Sequence, residues 1–177
     1  MILYLYRLMG AATLDGGAYE GIEADPAVTR QAAMTVVLAS LAAGIGSLGW
    51  RGPDPRAFAM VSLIALTMWV AWAMLTFQIG ARLLPEPQTE VTLGQMLRTI
   101  GFAAAPGLLQ VFAIFPRMTT LVFFTTTVWM FAAMVVGVRH ALDYRATGRA
   151  LAVCAAAAGL AAGLAVLFDL AVGPVLY

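Results

Sequence analysis

The sequence predicts an all-α, polytopic membrane protein, with five transmembrane helices in a bundle and a short interfacial N-terminal helical region. Three observations carry this prediction. Of the 177 residues, 62% are hydrophobic and 11% charged, and the mean hydropathy is +0.90, too apolar for an ordinary water-soluble domain of this size. The charges also leave five uncharged windows, Gln31–Trp50, Ala57–Ala81, Thr99–Pro116, Met118–Val138 and Ala150–Phe168, which hold 18 to 25 residues each. A helix rising about 1.5 Å per residue needs about 20 residues to cross a hydrocarbon core about 30 Å thick, so every window suffices, and the third is marginal. Finally, Leu121-Val122-Phe123-Phe124 through Val128-Trp129-Met130-Phe131 is apolar on every face, whereas a soluble surface helix keeps a polar stripe. Residues 1–30 form an N-terminal cytoplasmic or interfacial segment, and 31–177 form the five-span domain, with spans over 31–50, 57–81, 99–116, 118–138 and 150–169.

The chain opens with Met1-Ile2-Leu3-Tyr4-Leu5-Tyr6, which has no basic residue before its apolar part and is cut short by Arg7, a poor match to a signal peptide. Leu5, Leu8, Met9 and Ala12 share a helical face beside Tyr4 and Tyr6. That pattern suits a helix lying in the membrane interface, and it equally suits one docked on the bundle. An acidic stretch follows Gly16-Gly17, from Tyr19 to Asp25, and Pro26 fits the first turn of the next helix.

Arg51-Gly52-Pro53-Asp54-Pro55-Arg56 is a rigid turn between spans one and two, and Pro116-Arg117 leaves almost nothing between spans three and four, so both pairs should be antiparallel neighbours. In the longer link from Arg82 to Arg98, Thr92-Leu93-Gly94-Gln95 has the spacing of a capping box and predicts a helix start ahead of the bilayer. Pro106 lies inside the third span, with Gly101 and Gly107 near it, and should kink or break the helix. Such a break is a packing feature or, in a transporter, a place where backbone groups meet a substrate. In the fifth span Ala155, Gly159 and Gly163 recur every four residues, a face on which a helix of the same chain, or of a second copy, can approach closely.

All ten basic residues are arginine, and seven of them (Arg7, Arg30, Arg82, Arg98, Arg139, Arg145 and Arg149) fall on the amino-terminal face of a five-span map. The excess of basic residues on cytoplasmic loops places the N-terminus in the cytoplasm and the C-terminus outside. His140, in the Arg139–Arg149 loop, reads as a solvated loop residue. Asp169 stands about 20 residues along the last span, where it reads as a wet helix end. Gln78 and Gln110 read as interhelical hydrogen-bonding groups, and Thr125-Thr126-Thr127 as hydroxyls bonded to their own helix. One cysteine, Cys154, and one histidine leave no disulfide scaffold or histidine metal cluster, and a net charge of +1 offers no field for nucleic acid. No nucleophile elbow, zinc-protease motif or phosphate loop is present, so the expectation is a protein without catalytic residues, cofactor or metal.

The ordered motifs resemble the Yip1 family of small multi-span membrane proteins, in its bacterial branch. The resemblance rests on Leu14-Asp15-Gly16-Gly17-Ala18-Tyr19-Glu20 with Asp25-Pro26 and Arg30-Gln31-Ala32, and on Arg98-Thr99-Ile100-Gly101-Phe102-Ala103-Ala104-Ala105-Pro106-Gly107-Leu108. Trp129, Val138-Arg139-His140-Ala141-Leu142-Asp143-Tyr144 and Gly148-Arg149-Ala150 complete it. Phe102 stands where eukaryotic members tend to have tyrosine. The resemblance implies five membrane helices and a cytoplasmic N-terminus, and it singles out Tyr19, Asp25, Arg98, Gly101, Phe102, Pro106, Arg139, Asp143 and Arg149 as motif and interaction residues. Eukaryotic relatives associate with Rab GTPases and with one another. The N-terminal region is reduced here to residues 1–30, so the Rab-related role does not carry over. The expectation is a non-enzymatic protein of a bacterial inner membrane that binds or organises lipids, other membrane proteins or copies of itself. The alternative is a small-solute or ion channel or transporter that uses the broken third helix.

Overall fold

The computed structural model describes residues 2–172, without the side chains of 164, 165 and 167–172. The side chain of Asp169 and the C-terminal residues therefore lie outside the described part. Two short helices, α1 (Ile2–Ala12) and α2 (Gly16–Ala24), lead through a 3-10 turn at Pro26–Val28 into α3 (Thr29–Arg51). Next come α4 (Pro55–Phe77), which continues as a π-helical turn over Gln78–Leu83, and α5 (Leu93–Ala103), which continues as a 3-10 segment over Ala105–Ile114. The long helices α6 (Thr119–Ala141) and α7 (Thr147–Val172) complete the order. Four stretches, Pro26–Arg51, Pro55–Leu83, Leu93–Ile114 and Thr119–Ala141, are long and apolar enough to cross a membrane. With 26 residues α7 is long enough to be the fifth.

Burial runs opposite to that of a soluble protein. The interior is built mostly from small residues, among them Ala39, Ala43, Ala73, Ala103, Ala133 and Ala157, while Leu63, Phe112, Leu121 and Phe124 stand exposed. Large apolar side chains on the outside are costly against water and neutral against lipid tails, whereas small residues inside let helix backbones approach. This distribution shows a multi-pass integral membrane protein.

Local chemistry sets the helix ends. Gly52 ends α3 at φ 75°, a left-handed conformation that glycine adopts without strain, and its N–H donates to the Leu48 carbonyl at 2.8 Å. Asp54 then caps α4 by accepting from the Arg56 N–H at 2.9 Å, with Pro55 in the first turn. The capping box expected at Thr92 is formed, and α5 consequently starts at Leu93, ahead of the uncharged window.

The break at Pro106 also takes a definite form. Proline has no N–H to continue the α-helical ladder; α5 stops at Ala103, and Gly107 N–H turns back to the Ala104 carbonyl in an i to i+3 bond of 2.9 Å. A 3-10 helix rises about 2.0 Å per residue against about 1.5 Å, so the ten residues Ala105–Ile114 cover about 20 Å. The tighter winding lengthens the span whose uncharged window was the shortest. Its backbone lies directly on α3, where Cβ atoms at Gly46 and Gly49 would collide with the Gln110 and Ala113 carbonyl oxygens. Thr119 Oγ1 donates to that Ala113 oxygen at 2.7 Å.

Candidate functional site

The motif residues other than Pro106 gather at the end of the bundle where α3 and α5 begin and α6 ends. The first group docks α2. Asp15 caps α2 by accepting from Gly17 N–H at 2.9 Å, and Gly10 brings α1 against Ala18, closing a tight helical hairpin. Tyr19 is fully buried on α6, where Gly137 makes room for its ring. Its hydroxyl lies 3.2 Å from the Ala11 carbonyl oxygen and 3.0 Å from that of Ala133, donating between the two and so tying α1, α2 and α6 together. Burial pushes the Tyr19 phenol above its usual range, which keeps it a neutral donor.

His140 corrects the sequence reading. It lies in the last turn of α6, and its ring stacks on Tyr19 with centroids 6.3 Å apart and planes 7° apart. Its Nδ1 stands 3.6 Å from Glu20, and a Cβ at Gly16 would meet the ring at 2.8 Å. The charge of Arg139 suggests a loop from that residue on, but α6 continues to Ala141 and puts the His140 ring under α2.

The second group joins α2 to α5. Arg98 is almost wholly buried and donates through Nη2 to the Glu23 carbonyl at 2.6 Å, in the last turn of α2, where the helix dipole favours a cation. Gln95 Nε2 donates to the Glu23 carboxylate at 3.1 Å. Burial raises the Glu23 pKa, Asp143 and Glu20 raise it further, and Arg98 and Gln95 oppose the shift. Arg7 pairs with Asp25 at 2.8 Å, and Asp25 also caps the 3-10 turn by accepting from Ala27 N–H at 2.9 Å. Tyr4 reaches Thr35 Oγ1 at 3.0 Å and meets the buried Phe102 ring at 6.0 Å between centroids. At Gly101 a Cβ would approach Ala32 to 2.9 Å, so this glycine sets the spacing of α3 and α5.

The third group is a latch between two loops. After α6, Asp143 takes φ 52°, and Tyr144 N–H returns to the Arg139 carbonyl at 2.9 Å. The Tyr144 hydroxyl lies 2.7 Å from the Leu84 carbonyl oxygen and 3.0 Å from that of Gly80, at the π-helical turn, and its burial raises the phenol pKa. Leu142 fills the space that Gly80 leaves, and Thr89 Oγ1 donates to the Leu142 carbonyl at 2.8 Å. Arg149 lies over the Tyr144 ring, donates to the Leu84 and Pro85 carbonyls at 3.3 Å each, and pairs with Glu86 at 3.6 Å. Arg139 Nε sits 3.4 Å from the Tyr144 carbonyl.

The motif residues therefore act on one another and on backbone carbonyls. Sequence reasoning missed Tyr4, Glu23, Glu86 and Tyr144 as their partners; only the proximity of Tyr144 to Asp143 and Arg149 signalled any of them. Pro106 and Gly107 lie apart from this end, deeper in the bundle, with Gly107 against Met130. Of the two uses the sequence left open for the Ala155, Gly159 and Gly163 face, packing within the chain is not the one seen. All three residues are exposed, and Cβ atoms at Gly159 and Gly163 would meet nothing within 4 Å. Within the chain α7 packs instead through Ala150, Val153, Cys154, Ala157 and Ala161. Among the described residues, no three His, Cys, Asp or Glu side chains are placed to hold a metal ion.

An all-helical bundle with an inverted interior and a polar clasp at one end defines a polytopic membrane protein with an N-terminal helical hairpin fastened to its spans. The chain belongs to the Yip1 domain family, whose pattern matches residues 15–168. No match was found among curated proteins or among solved structures.

Proposed function

We propose that this protein is a non-enzymatic organiser of a bacterial cytoplasmic membrane, oriented with its N-terminus inside and its C-terminus outside, that gathers lipids and other membrane proteins around its arginine-rich end. The observation that carries the reading is α1. Its inner face is fixed by Tyr4, Leu8 and Ala11, and its one charge, Arg7, is neutralised by Asp25. Ile2, at 86% exposure, and Leu5, Tyr6 and Met9 are left as an outward apolar face. Such a helix has no polar side to turn to water, and it is suited to lying in the acyl boundary of one leaflet. Arg30 and Arg145 are exposed at the same end and would favour anionic headgroups at about 1 kcal/mol each. Ala155, Gly159 and Gly163 offer a second helix close approach on α7.

Purification in mild detergent, with the co-eluting proteins identified, tests the partner role; one reproducible partner lost on Ile2→Glu/Leu5→Glu substitution is the expected result. The channel or transporter alternative draws on Pro106 and Gln110. Ion or solute flux in liposomes that Gln110→Ala abolishes would replace the organiser reading.

A further inference from the structure

Midway along the spans a pocket of about 240 Å³ lies between α4 and α6, floored by Gln110 of the 3-10 segment. A smaller chamber of about 50 Å³ continues it towards α3 and shares Ala65, Trp69, Gln110 and Met130. The walls are apolar and adaptable, with Met68, Met130 and Met134 beside Phe131. The exposed Met68 and Thr127 stand at its rim, on the hydrocarbon side.

Three polar groups here are unpartnered. Gln110 is 7% exposed, lines both chambers, and its amide has no hydrogen bond among the described residues. Trp69 and Trp72 form the α4 wall, and their indole N–H groups are buried without an acceptor among the described residues. Buried polar groups in hydrocarbon are normally satisfied, so the unbonded Gln110 amide, which lines both chambers, indicates a missing partner. A glutamine amide both donates and accepts, and the N–H groups of Gln110 find their acceptor only in a molecule seated in the pocket. Among the described residues no charged side chain lines the pocket, and an ionic ligand would be costly at this depth. Lipid esters and headgroups lie at the interface, about 15 Å from the centre of a core about 30 Å thick, and do not reach it.

We propose that this pocket binds a neutral, lipid-soluble carbonyl compound of the ketone or quinone class, entering from the bilayer between α4 and α6, with its oxygen accepting from the Gln110 amide and its ring or chain against the Trp69, Trp72 and methionine wall. The test uses a decyl-substituted benzoquinone as quencher of the protein in lipid nanodiscs, in a Trp50→Phe/Trp129→Phe background that leaves Trp69 and Trp72 as the only indoles. Saturable quenching is expected, and Gln110→Leu and Ala65→Phe, the latter filling the pocket from the α4 side, should each weaken it at least tenfold. Each variant is compared only as a monodisperse species, and either one alone decides. Quenching that rises linearly without saturation, or saturates equally in a folded variant, overturns the proposal. So does equal binding of decylcyclohexane, which lacks the carbonyl. Quenching by phospholipid with brominated chains that the quinone cannot displace would show an ordinary acyl chain in the pocket, and would likewise overturn it.

Discussion

Removing the Tyr19 side chain should free the N-terminal hairpin while leaving the spans assembled. The phenol donates between the Ala11 and Ala133 carbonyls, and both oxygens belong to helices whose backbone bonds remain without it. Tyr19→Phe therefore loses one neutral hydrogen bond, about 1 kcal/mol, which is about a fivefold rise in local opening. Tyr19→Ala also empties the space between Gly137 and His140, at about 3–5 kcal/mol for a buried aromatic, or roughly a hundred- to a few-thousand-fold. Hydrogen exchange with mass-spectrometric readout in detergent resolves the two effects, since local opening is reported by the amides of α2. Exchange over Gly16–Ala24 should accelerate in that order, while amides in the middle of α3 and α6 keep their protection. Unchanged exchange in α2 of the alanine variant, or equal acceleration through α6, would refute the reasoning that Tyr19 is the fastener.

Other consequences of the same geometry are separable. Gly49→Leu forces a side chain onto the Ala113 carbonyl and Thr119 and should cost about 3 kcal/mol or more, read as a fall in the thermal midpoint by circular dichroism; Gly159→Leu, facing open space, should stay within about 1 kcal/mol of the parent. Because burial, Asp143 and Glu20 raise the Glu23 pKa above its ordinary 4.5, its contribution to hairpin docking is fully present below that value and is lost as pH rises through the raised one. Glu23→Gln should flatten that pH dependence of α2 exchange, and an unchanged profile would remove Glu23 as its source. Arg149→Ala opens the latch on Leu84, Pro85 and Glu86; with the guanidinium partly exposed the loss is about 1 kcal/mol, seen as faster proteolysis between Leu84 and Thr89.

Much of the architecture is legible in the sequence because the solvent writes it. The Gly52-Pro53-Asp54 turn, the Thr92–Gln95 capping box and the Pro106 break are local signals, and each appears in the structure where its chemistry requires. Partners are not written in the same way. Every face of α7 carries alanine or another small apolar residue, so no period separates Ala155, Gly159 and Gly163 from the face that packs, Val153, Cys154, Ala157 and Ala161. Helix α2 contains Gly16, Gly17 and Gly21 and has little propensity of its own. Tertiary docking of Tyr19 holds it, and that docking also draws His140 out of solvent. The motif residues were visible as a set, but their convergence was not, because Arg98 meets Glu23 and Arg149 meets Glu86 across long stretches of chain.

The central claim is that lipid, not water, covers the large apolar residues on the outside of the helices. Spin labels attached singly at Leu63→Cys on α4 and Phe124→Cys on α6, in a Cys154→Ala background reconstituted in bilayers, report this directly through collisions with dissolved oxygen and with a water-soluble nickel chelate. The account predicts high oxygen and negligible nickel accessibility at both sites. Nickel accessibility at either site equal to that of a label in the exposed Gly52–Asp54 turn would contradict it.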